Sequence, residues 1–142
     1  LNRDTYLGGY AAPVEFRGAI SGPGGIIVGG ANSTAANTVK LYGTNTFAGP
    51  TTVSEGTLEI HTNAASGNAT STIILGDADT GASAVKLLIR VGTELNRNLS
   101  IPNVSAGTVT IGHSIGARRQ VQLQWRHPGR PRHLVEFVYD LP

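Results

Sequence analysis

Apolar residues in this chain recur with a period of two in short runs, and clusters of Gly, Asn, Ser or Pro cut each run off. Val39 and Leu41 point one way while Lys40 and Tyr42 point the other. Leu58 and Ile60 alternate with Thr57, Glu59 and His61; Val85, Leu87, Ile89 and Val91 alternate with Lys86, Leu88 and Arg90. Val109 and Ile111 alternate with Thr108 and Thr110, and further β-prone runs lie at 14–17, 26–28, 72–75, 99–101 and 121–124. The stretches 21–25, 29–33 and 66–68 are turn chemistry. Helical spacing is almost absent, so the pattern predicts an all-β fold. Run centres about 8 to 15 residues apart fit either a β-sandwich or a β-solenoid. The runs are short and are not joined by two-residue hairpin signals, which favours the solenoid. Aromatic residues make up 6% of the chain, which suits a narrow core of Val, Ile, Leu and Ala. At roughly 20 to 25 residues per coil, the length gives about five or six coils, each stabilised by stacking on its neighbours.

The composition divides the chain. Residues 1–117 hold 18 of the 19 Gly and every one of the 33 Ser, Thr and Asn. At that frequency about seven of those polar residues would fall in 118–142, which has none. The formal charge shifts as well, from −1 over 1–117 to +3 over 118–142. The sequence therefore predicts a solenoid segment at 1–117 and a compositionally distinct tail at 118–142. That tail is either a capping element or out-of-frame translation of GC-rich DNA, which enriches Arg, Pro, His and Gln. Zero Cys removes disulfides, thiolate metal sites and a cysteine nucleophile. No apolar run approaches a membrane-spanning helix, and no signal peptide is visible. Beginning at Leu1 and lacking Met, the chain reads as a fragment or processed piece.

Residues 41–60 read Leu-Tyr-Gly-Thr-Asn-Thr-Phe-Ala-Gly-Pro-Thr-Thr-Val-Ser-Glu-Gly-Thr-Leu-Glu-Ile. This closely resembles the passenger-associated repeat of bacterial autotransporters, also called the autotransporter-associated β-strand repeat. The matching residues are Leu41, Gly43, Asn45, Thr46, Phe47, Gly49, Thr51, Thr52, Val53, Gly56, Thr57, Leu58 and Ile60. Pro50 stands where the family commonly has Gly. The upstream run Gly18-Ala-Ile-Ser-Gly-Pro-Gly-Gly25 also resembles a stretch that often precedes the family's motif. The resemblance is firm over 18–60 and loose, by texture, over 61–112.

The same residues have physical roles that can be stated without the family. Gly43, Gly49 and Gly56 are expected where the chain turns tightly or takes positive φ. Asn45 is expected to close a turn onto its own backbone and to stack as an amide ladder. Thr51 and Thr52 lead into a strand, and Val53, Leu58 and Ile60 fill the core. Each position has a structural role, and none is left over for chemistry.

Other constellations fail on context. Gly112-His113-Ser114-Ile115-Gly116 is a G-x-S-x-G pentapeptide, the hydrolase nucleophile elbow. Val121, Leu123 and Trp125 alternate after it, so no helix follows, and His127 and His133 precede Asp140, reversing the hydrolase order of acid and His. Asp77 and Asp79 lack the further ligands of a calcium loop and read as a polar turn. Glu59 and His61 share a strand face and read as a solvated surface pair. The Gly-rich stretch 21–30 has no phosphate-binding pattern. Trp125 within the cluster Arg118–Arg132 could serve an anionic partner, and Asn32, Asn68, Asn98 and Asn103 begin sequons that arise from composition. The acids of 1–117 are scattered and do not form the cluster of a β-helix lyase or hydrolase.

The expected protein is therefore a right-handed parallel β-helix segment, with a β-sandwich as the alternative fold. The resemblance implies a structural stalk of an autotransporter-type passenger, on the outside of the bacterial outer membrane or secreted, assisting its own display. Its partners would be adjacent coils of the same polypeptide and a translocator barrel elsewhere in the parent protein. An adhesin-like surface for a glycan or host cell is the alternative. Catalytic residues, cofactors, metals and nucleic acid are not expected.

Overall fold

The computed structural model describes residues 1–8, 12–29, 37–90, 92–103 and 106–114 in full, and 119–124 and 134–139 as backbone. Its strands are β1 (Thr5–Leu7), β2 (Val14–Phe16), β3 (Ile26–Val28), β4 (Thr38–Leu41), β5 (Thr51–Val53), β6 (Gly56–Ile60), β7 (Thr72–Leu75), β8 (Val85–Ile89), β9 (Asn98–Ser100), β10 (Val109–His113), β11 (Arg119–Gln124) and β12 (Leu134–Tyr139). A single-turn 3-10 segment, Asn63–Ser66, lies between β6 and β7. Most strands fall on the predicted runs. β9 begins one residue earlier than predicted, and β11 begins at Arg119 rather than Val121. β1 and β12 lie outside the predicted runs.

The chain alternates between two sheets. The odd strands up to β9 form a five-stranded sheet in the order β1-β3-β5-β7-β9, and the other sheet runs β11-β12-β10-β8-β6-β4-β2. Every pairing from β1 to β10 is parallel, as is that of β10 with β12. A sandwich of hairpins would pair antiparallel, so the fold is the parallel solenoid. Registers in the five-stranded sheet advance 21, 25, 22 and 26 residues per coil. β11 pairs antiparallel with β12, the only reversal of strand direction among the described strands.

Parallel register stacks like residues into interior columns. Val14, Val39, Leu58, Leu87 and Ile111 follow one another across the larger sheet, with Leu41 beside Ile60 in the next column. From the facing sheet come Ile26, Thr51 and Ile73, then Val28, Val53 and Leu75. Val39, Leu41, Leu58, Ile60, Leu87, Ile26, Ile73, Val28, Val53 and Leu75 are buried. Thr51 is also fully buried, lying in the core column itself, and its hydroxyl donates to the Ser66 carbonyl at 3.4 Å. At the far edge of the five-stranded sheet, Leu99 stacks on Ile73 but is 44% exposed, because among the described strands none lies beyond β9.

Glycine is required for two different reasons. Gly56 has φ +83°, and a Cβ there would lie 2.4 Å from the Asn37 carbonyl oxygen. Gly43 and Gly49 have no positive φ; a Cβ on either would come within 2.3 Å of the backbone of the preceding coil, at Gly18 or Gly25. These two permit close approach between coils rather than an unusual backbone conformation. Gly56→Ala should therefore cost about 2 kcal/mol or more, since the opposing atom is backbone and cannot move aside. Gly18→Ala, with nothing within 4 Å of the new methyl, should leave the urea midpoint nearly unchanged.

Candidate functional site

The 41–60 motif spans one coil, from the end of β4 through β6. Its central part, 42–50, connects the two sheets and bonds to the coils on both sides. Thr46 and Ala48 donate backbone N–H groups to the carbonyls of Ile20 and Gly22, both at 2.9 Å. On the other side, Asn45 N–H donates to Ala64 O at 2.9 Å, and Asn68 N–H donates to Phe47 O at 3.0 Å.

Asn45 is the polar centre of this junction and is 3% exposed. Its Oδ1 accepts from Ile20 N–H at 2.8 Å, and its Nδ2 donates to Ala65 O at 2.6 Å. The side chain therefore bridges the preceding and following coils instead of closing its own turn. The expected amide ladder is not formed, because the groups it bonds above and below are the backbones of Ile20 and Ala65. Phe47 is fully buried beside this junction, and Gly67 makes room for its ring: a Cβ on Gly67 would lie 2.6 Å from it. Ser71 donates its hydroxyl to Gly49 O at 3.0 Å, and Thr46 is exposed. Thr52 and Thr57 occupy outward positions on β5 and β6.

The outer face of the larger sheet carries charged side chains in rows. Glu15, Lys40 and Glu59 stand in one row across β2, β4 and β6. Lys40 Nζ lies 4.0 Å from Glu15 Oε1 and 3.7 Å from Glu59 Oε2. The next row is Arg17, Tyr42 and His61. The Arg17 guanidinium sits 4.3 Å from the Tyr42 ring centroid, and the His61 ring stacks on Tyr42 at 3.8 Å. Arg17 also donates to Glu15 Oε2 at 2.6 Å, and the Tyr42 hydroxyl donates to Glu15 Oε1 at 3.2 Å.

Glu59 and His61 differ from the expected solvated pair. Their side chains are only 10% and 5% exposed, and His61 Nε2 lies 2.7 Å from Glu59 Oε1. Neither ring nitrogen has a partner in hydrogen-bond geometry, so this contact acts through charge when the imidazole is protonated. Packing by Tyr42 and the flanking strands buries the pair, and alternation along a single strand carries no signal for that. The Glu15 side chain is 36% exposed; its hydrogen bond from Arg17 is the main cause holding its carboxyl below the usual carboxylate value.

The acidic turn and the Gly-rich stretch are occupied by structural contacts. Asp77 Oδ1 accepts from Ser54 Oγ at 2.8 Å, Asp79 N–H at 3.0 Å and Thr80 Oγ1 at 3.2 Å, which makes a polar turn. Among the described residues, no group of three or more His, Asp or Glu is placed to hold a metal. In the Gly-rich stretch, Gly25 N–H donates to Asp4 Oδ1 at 2.6 Å and Gly24 N–H to Leu1 O at 3.0 Å, so these amides are already used. Ser114 Oγ has no hydrogen-bond partner, so no described base activates it. Asn32, Ile115, Gly116, Arg118, Trp125, Arg126, His127, Arg130, Arg132, His133 and Asp140 lie outside the described residues, as does the side chain of Arg119.

The geometry thus defines a parallel solenoid whose coils are interlocked by a glycine- and threonine-rich connecting segment. Residues 34–60 match the family model of the passenger-associated-transport-repeat, which agrees with the resemblance carried by 41–60. Comparison with curated proteins and with solved structures gives no match.

Asn45→Ala would leave Ile20 N–H and Ala65 O unpaired at a buried junction. It should lower stability by about 2 to 4 kcal/mol in urea titration. Glu15 has a depressed carboxyl pKa, so its contribution is present at neutral pH and lost as pH falls through its folded-state value. Glu15→Gln should therefore flatten the acid limb of a Tm-against-pH profile, leaving the profile above neutrality parallel to that of the wild type.

Proposed function

We propose that this chain is a structural β-helix segment of a bacterial autotransporter-type passenger, secreted or displayed outside the outer membrane. One observation carries this reading. The matched repeat occupies a coil whose glycines, asparagine and backbone groups are taken up by contacts with the coils before and after it. Such a segment extends by adding coils onto an existing edge, and stepwise addition favours net outward movement of a chain emerging through a pore. Its partners are the adjacent coils of the same polypeptide and a translocator barrel encoded elsewhere in the parent protein. Its role is non-enzymatic. The reversal of direction at β11 and β12 supports taking 118–142 as a distinct end element beyond a solenoid at 1–117.

The test places residues 1–142 between a secretory signal peptide and an autotransporter translocator barrel in a Gram-negative host. The wild-type segment should reach the surface and be cleaved by external protease. Asn45→Ala, which weakens the junction between coils, should reduce the surface-exposed fraction severalfold. Retention of the wild-type segment in the periplasm would refute the proposal, as would Asn45→Ala being displayed as well as wild type despite a lowered unfolding midpoint.

A further inference from the structure

The outer face of the larger sheet is neutralised unevenly. On β2, β4 and β6 its cations are matched: Arg17 pairs with Glu15, and Lys40 lies between Glu15 and Glu59. β8 is different. It projects Lys86, Leu88 and, just past its end, Arg90 outward, and both cations are exposed. Lys86 stands between Thr57 and Thr110. Arg90 continues the register between His61 and Ser114, its N–H bonded to Ile60 O at 2.9 Å. Leu88 separates them, beside Glu59, whose carboxylate already faces Lys40 and His61. Neither Lys86 nor Arg90 has an ion-pair partner among the described residues. Glu136 of β12 is in register with Thr110, two strands from Lys86, which is about 9.6 Å at the usual strand spacing.

We propose that Lys86 and Arg90, with the hydroxyls of Thr57 and Thr110 beside Lys86, form a binding strip for an acidic polysaccharide. The two cations are about 13 Å apart along the strand, a spacing that engages successive anionic groups on an extended chain. The flanking hydroxyls give and accept hydrogen bonds and suit the neutral hydroxyls of sugars between those anions. Single-stranded nucleic acid fits less well, because the tyrosine ring among the described residues of this face is already sandwiched. Arg17 covers Tyr42 from β2 and His61 from β6, which leaves no open π-face for a base. Both uronate carboxylates and sulfate esters satisfy the strip's chemistry. The proposal rests on the surface-recognition role rather than on the stalk role, so either can fail alone.

The test uses the 142-residue chain in calorimetric titrations with a sulfated oligosaccharide, an oligogalacturonate, a neutral dextran oligosaccharide and oligothymidylate. At least one of the two acidic glycans should bind, with affinity falling as salt rises, while the neutral glycan should not. Comparing the two acidic probes distinguishes sulfate from carboxylate recognition. The double variant Lys86→Gln/Arg90→Gln should bind at least about tenfold more weakly and with a shallower salt dependence. Lys40→Gln should bind almost as wild type does. Both substituted side chains are exposed, so circular dichroism and thermal unfolding of the double variant should match wild type. The proposal is overturned if neither acidic glycan binds, if oligothymidylate binds more tightly than both, or if the double variant is unaffected. It is also overturned if only replacement of Arg118, Arg119, Arg126, Arg130 and Arg132 abolishes binding.

Discussion

Parallel hydrogen bonding between successive coils is the interaction on which everything else in this protein depends. A strand of three to five residues such as β3, β5 or β6 has too little apolar surface to hold a conformation alone. Set in parallel register, those strands align Val39 with Leu58 and Leu58 with Leu87, and the columns become a continuous core. The connecting segments must then keep the coils at the same separation as the strands do. Gly43 and Gly49 allow the backbones to meet, and Asn45 spans the gap on both sides with one side chain. A polar residue can be buried there because its acceptor and one of its donors are both used.

Stacking also concentrates charge. A parallel ladder repeats an outward position on every strand at the strand spacing, so like charges in one row would repel. The row Glu15, Lys40, Glu59 alternates in sign, and its groups approach to 4.0 and 3.7 Å. The five-stranded sheet behaves differently: its outer row is Tyr6, Ile27, Thr52, Ile74 and Ser100, without a charge. The two faces of one solenoid therefore meet their surroundings with different chemistry, and the unmatched cations of β8 lie on the charged one.

Much of the fold was legible in the residues. Period-two alternation marked Val39–Leu41, Leu58–Ile60 and Val85–Ile89 as strands, and Gly and Asn between them marked corners. β1 was hidden because Thr5-Tyr6-Leu7 holds a single aliphatic residue, and β12 because its apolar residues fall in adjacent pairs, Leu134-Val135 and Phe137-Val138, rather than alternating. The site was legible as residue types but not as contacts. Asn45 looked like a turn residue, since Asn usually bonds within its own turn. Its actual partners, Ile20 and Ala65, lie 25 and 20 residues away and become neighbours only by stacking.

The sequence by itself determined the class of structure: all-β, many short coils, an interior of aliphatic columns, and a passenger-type repeat at 41–60. Local propensity and alternation suffice for that, because they act within a few residues. Only the tertiary structure decided which coil faces which, and three properties follow from that pairing. Thr51 joins the core, Glu59 and His61 are buried beside Tyr42, and Lys86 and Arg90 have no ion-pair partner among the described residues. Coils here advance by 19 to 29 residues, so those contacts depend on loop length and register, which no local pattern encodes.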